Sequence, residues 1–67
     1  MAISYKKLWK LLIDRDMKKK DLVALSGISQ SSVTKMGKNE NVNTDVLVRI
    51  CRALKCDIGD IAEVDNK

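Results

Sequence analysis

Leu22-Val-Ala-Leu-Ser-Gly-Ile-Ser-Gln-Ser-Ser-Val-Thr-Lys-Met36 is the stretch that decides how this chain folds. It predicts two short helices broken by a turn. Gly27 falls just past the first helix, where glycine takes the left-handed backbone conformation at no steric cost. Ser29 can then accept a hydrogen bond from a free N–H of the second helix. Leu22 and Leu25 are expected to face one way in the first helix. Val33 and Met36 do the same in the second, three apart as a helix requires. Gln30, Ser31, Ser32, Thr34 and Lys35 remain, all small or able to hydrogen-bond.

A helix with a short, polar outer face and one lysine is suited to lying in a DNA major groove. The pattern is that of a helix-turn-helix, with Ser29 to Met36 as its recognition helix. Lys18-Lys19-Lys20 opens the helix before the turn. Three lysines are unfavourable there, because the positive end of a helix dipole prefers anions. A phosphate bound by the lysines and the free N–H groups would account for that cost, whereas a solvated basic turn is the plainer alternative.

Working outward, Ser4 is expected to cap a first helix running to about Asp14 or Arg15. Tyr5, Leu8, Trp9 and Leu12 share one face of it, with Ile13 at the margin, and Lys6, Lys7, Lys10 and Asp14 share the other. Alone, this segment also fits a basic helix on a membrane surface; the amphipathic helices that follow favour a core helix. Gly37 reads as a stop after the recognition helix. The loop Lys38-Asn-Glu-Asn-Val-Asn43 is rich in asparagine, which favours turns and can donate to phosphate. Asn43 is expected to cap a fourth helix, Thr44 to Leu54, with Leu47, Ile50, Cys51 and Leu54 as its apolar stripe. Arg49, Arg52 and Lys55 read as solvated. Asp57 should cap a short fifth helix, with Ile58, Ile61 and Val64 inward and a frayed tail at Asp65-Asn66-Lys67.

Sixty-seven residues suffice for one domain, 1–67, with a core over about 4–64. There is no proline or phenylalanine, and there are only three glycines. The expectation is an all-α bundle of five short helices with an aliphatic core and no strands. Thirteen basic and nine acidic residues give a net charge of +4, but unevenly. Residues 1–56 hold twelve basic and five acidic side chains, and residues 57–67 hold one and four. This suggests a basic working surface with an acidic end kept from it, although the lysines could simply solvate the chain.

Enzyme chemistry finds little here. Histidine is absent, no thiol sits beside a base, and there is no phosphate-cradling glycine loop. Cys51 and Cys56 match no zinc or redox motif and read as reduced cytosolic thiols. No cofactor or metal is expected, and no small-molecule ligand is evident. The apolar run near the N-terminus, Leu11-Leu-Ile13, is cut by Asp14 and too short for a secretory signal, and nothing approaches membrane-spanning length, so a cytoplasmic location without a membrane partner is expected.

The chain resembles the Cro/cI-type (XRE-like) helix-turn-helix domains of bacterial and phage regulators. Leu22 through Ser29, Val33, Met36, Asn43 through Leu54, and Cys56-Asp-Ile-Gly-Asp-Ile61 carry the resemblance. It spans roughly residues 4–64 and leaves no room within this chain for a separate effector domain. It implies a small transcriptional regulator that binds double-stranded DNA, commonly as a homodimer. Carried over by position, Gln30, Ser31, Thr34 and Lys35 would read bases. Lys18, Lys19, Lys20, Ser29, Ser32, Lys38 and Asn39 would meet phosphates. Lys19 stands where the family often has glutamine; lysine keeps a phosphate contact but loses the glutamine's capacity to buttress a recognition side chain. Val23 replaces a usual alanine where the two helices meet. The outward face lacks arginine, so direct readout is expected to be modest. Ile58, Ile61 and Val64 form a possible dimer surface. They could equally take a foreign protein, making the chain an antitoxin-like partner or co-regulator.

Overall fold

In the computed structural model, which describes residues 2–65, four α-helices and a short sheet enclose one hydrophobic core. The order is β1 (Ala2–Ser4), α1 (Lys6–Asp14), α2 (Lys19–Ser26), α3 (Gln30–Gly37), α4 (Thr44–Leu54), a 3₁₀ turn (Ile58–Asp60) and β2 (Glu63–Asp65). The expected fifth helix is thus a single 3₁₀ turn, and the fold is not wholly helical. β1 and β2 pair antiparallel, Ala2 with Asp65, Ile3 with Val64 and Ser4 with Glu63. Three residues per strand are too few to leave an alternating pattern in the sequence.

Asp57 and Asp60 explain why the last helical segment is so short. The Asp57 carboxylate accepts from the Ile58 N–H at 2.9 Å, and the Asp60 carboxylate accepts from the Asp57 N–H at 2.9 Å. This closes one turn, and the chain then drives Ile61 into the core with no exposed surface. Ile61 is therefore unavailable to a partner. Ile58, at 44 % exposure, and Val64, at 66 %, face outward instead of inward. The strand also orders Asp65, which the sequence places in a frayed tail; Asn66 and Lys67 lie outside the described residues. Lys7 fastens this end to α1, donating to the Gly59 carbonyl at 3.2 Å and lying 3.9 Å from the Glu63 carboxylate.

Most of the expected helix ends are found, and those at Ser4 and Gly37 differ. Ser29 caps α3, and Asn43 caps α4, accepting from the Val46 N–H at 3.3 Å. Ser4 belongs to β1 and Tyr5 holds the cap position of α1, but the Ser4 hydroxyl still accepts from the Lys6 N–H at 3.4 Å. Gly37 is the last residue of α3, and the positive φ that ends the turn is at Asn39 (φ 56). Leu22 is buried, but Leu25 is 57 % exposed. The inward strip of α2 runs instead through Leu22, half-buried Val23 and Ser26, whose hydroxyl donates to the Leu22 carbonyl at 2.6 Å.

Candidate nucleic-acid interface

Gly27 adopts φ +77 and ends α2, so the chain can reverse within Ile28 and begin α3 at once. Ile28 is buried, as are Val33 and Met36 on α3. These three fix the rotation of α3 about its axis. Gln30, Ser31, Thr34 and Lys35 then lie on its exposed side, and Ser32 is half-buried at the edge. All four expected base-reading residues are accessible.

Their hydrogen bonds narrow what each can do. Ser29 Oγ accepts from the Ser32 N–H at 3.2 Å and lies 2.9 Å from Ser31 Oγ and 3.0 Å from Ser32 Oγ. The serines at the start of α3 thus form one hydroxyl cluster, not three independent contacts. Thr34 Oγ1 donates to the Gln30 carbonyl at 3.1 Å. Its proton is committed, leaving lone pairs to accept from a base amine and a methyl to meet thymine.

At the start of α2, Lys18, Lys19 and Lys20 are all exposed. Asp21, which the sequence reading passed over, accepts from the Lys18 N–H at 2.8 Å. An acidic side chain in the first turn offsets much of the unfavourable lysine charge, so phosphate is not needed to explain the lysines. Asp at the third helical position was the available signal. The Lys19 ammonium lies 4.6 Å from the centre of the Trp9 ring. It is also 3.8 Å from where a Cβ on Gly37 would stand, so the first turn of α2 abuts the end of α3.

Beyond α3, Lys38 is exposed and Asn39 turns back toward α1. Asn39 Oδ1 accepts from the Tyr5 N–H at 3.5 Å, so only its Nδ2 end can donate to a phosphate. Arg49, read as solvated, pairs with Asp45 at 2.8 Å and reaches behind Gly27. No helix among the described residues is long and apolar enough to cross a membrane.

Residues 7–67 match the family model of the Cro/C1-type helix-turn-helix DNA-binding domain. The chain belongs to this family. It is a DNA-binding domain of regulators and not an enzyme. The protein is also similar to the crystal structure of the transcriptional regulator VanUg (Form II), with 60 % identity and a TM-score of 0.88, over 92 % of this chain and 83 % of that one. No curated protein shows a significant match to this Cro/C1-type chain.

Proposed function

We propose that the protein is a sequence-specific transcriptional regulator that inserts α3 into the DNA major groove, as a homodimer on an inverted repeat. The observation that carries this is the exposed Gln30, Ser31, Thr34 and Lys35 side of a helix whose opposite side, Val33 and Met36, is locked in the core. Lys35 donates to guanine O6 or N7, Gln30 pairs with adenine N6 and N7, and Thr34 accepts from a base amine or meets a thymine methyl. Lys18, Lys19, Lys20, Lys38, the Ser29–Ser32 cluster and Asn39 Nδ2 supply phosphate contacts, which set register and salt dependence. The similar protein VanUg is a transcriptional regulator, in keeping with this role.

Exposed Ile58 and Val64 are the dimer contacts of this reading. Two copies would set their recognition helices about 34 Å apart, one turn of DNA. The same two apolar side chains favour a second reading, a co-regulator or antitoxin-like module that binds another protein there. Selection of duplexes from a random pool at physiological salt tests both. Enrichment of an inverted repeat supports the regulator, while no enrichment together with capture of one protein partner supports the module.

A further inference from the structure

Lys19 sits among three influences. Its own helix begins at that residue, and the positive end of the α2 dipole repels the ammonium. The group lies instead beside Gly37, the last residue of α3, where the negative end of that helix dipole favours a cation. On its remaining side, at 4.6 Å, is the face of Trp9 from α1. That separation is within the roughly 6 Å over which an indole ring attracts a cation. A lysine stem has about 2 kcal/mol of rotamer entropy to lose when it is held in one pose. The contact with the ring, worth about 0.5–1 kcal/mol at an exposed site, offsets part of that cost before any ligand arrives. Trp9 is half-buried and packed against the core, so the ring is fixed by the fold.

We propose that Trp9 is a positioning residue for DNA binding, holding the Lys19 ammonium at the junction of α2 and α3 in the pose that meets a phosphate. This rests on the DNA-binding reading above and deepens it. Trp9 itself does not touch DNA. It lowers the ordering cost of one phosphate contact and leaves the number of contacts unchanged. The two effects separate in a salt titration. Loss of the ring weakens binding at constant salt slope, whereas loss of the ammonium also makes the slope shallower.

The test joins a measurement without DNA to one with it. Trp9 is the sole tryptophan, so its emission reports on the cation above it. Lys19→Met is expected to change Trp9 emission in the free protein, with Lys20→Met, outside the groove that Trp9 lines, leaving it unchanged. With a duplex selected by the unmodified protein, Trp9→Leu should bind about threefold more weakly at an unchanged salt slope. Trp9→Phe should restore most of the affinity. Lys19→Met should weaken binding further and reduce the slope by about 0.9. Far-UV circular dichroism checks that each variant is folded, and Lys19→Met serves if Trp9→Leu is not. Unchanged emission in Lys19→Met overturns the inference. So does a folded Trp9→Leu that binds as tightly as the parent. If the unmodified protein binds no duplex, the DNA reading fails and takes this role of Trp9 with it; a failure confined to Trp9 shows instead as normal duplex binding that ignores the ring.

Discussion

The Tyr5 hydroxyl donates to the Glu40 carbonyl at 3.1 Å, joining the start of α1 to the loop after α3 across 35 residues. Asn39 Oδ1 also accepts from the Tyr5 N–H at 3.5 Å. One buried residue therefore holds the loop that carries Lys38 at two points, Asn39 through its main chain and Glu40 through its side chain. Tyr5→Phe keeps the ring in the core and removes only the hydroxyl. The expected cost is about 1 kcal/mol, read as a fall in Tm of roughly 4–8 °C. DNA affinity should fall modestly as well, because the loop after Lys38 loses its tie at Glu40 while the main-chain bond to Asn39 remains. A thermal melt and a binding titration check this, and an unchanged Tm would mean that the tie contributes nothing.

Gly27 and Gly37 frame α3 but should respond oppositely to alanine. At Gly27, φ is +77, a conformation that strains any residue with a Cβ. At Gly37 the backbone is helical, and a Cβ would meet only the end of the flexible Lys19 side chain, at 3.8 Å. Gly27→Ala is expected to destabilise by about 1–2 kcal/mol. Gly37→Ala should stabilise by about 0.5 kcal/mol, since alanine suits a helix better than glycine. Denaturant midpoints of the two variants should move in opposite directions.

What could be foreseen follows from how local each feature is. The bounds of α4 and its Asn43 cap were legible because stripe and cap lie within a dozen consecutive residues. The outward side of α3 was legible as the complement of Val33 and Met36. The sheet was not, because β1 and β2 meet only after the chain ends are brought together by Ile61 and Lys7. Leu25 was misread because three-residue spacing alone does not say which neighbour covers a helix, and α2 buries only a narrow strip. The contacts of Trp9 with Lys19 and of Tyr5 with Glu40 join different elements, and no spacing rule announces them.

Alkaline pH should weaken the fold through three groups. Burial, first of all, raises the Cys51 thiol above its ordinary range; contact with Cys56 and the nearby Asp57 and Asp60 charges push the same way. Burial also raises Cys56, outweighing the opposing effects of its contact with Cys51 and of Arg15. Tyr5 is raised by burial as well, against a lowering contact with the Val42 backbone. Each group holds its proton more tightly when folded. The associated stability is fully present below the unfolded-state pKa and is lost as pH rises through the folded-state pKa. The denaturant midpoint should therefore decline from about pH 8.5 upward, with Tyr5 adding to the decline above about pH 10. Both thiols should also react with alkylating reagents at neutral pH more slowly than in the unfolded chain. Rapid alkylation of the native protein would contradict the burial argument.

Lys35 and Lys20 separate reading from holding. Lys35 is the sole cation among the four residues on the exposed side of α3, and Lys20 belongs to the first turn of α2. If Lys35 donates to guanine, Lys35→Ala should relax preference at one base position per half-site, at a cost of about 1–3 kcal/mol in discrimination. The competing sequences should lose far less. Lys20→Ala should weaken all duplexes alike and reduce the salt slope by about 0.9. Competition between the selected site and single-base variants, repeated at several salt concentrations, measures both effects. Uniform weakening by Lys35→Ala would reassign that lysine to a phosphate and leave Gln30, Ser31 and Thr34 as the base readers.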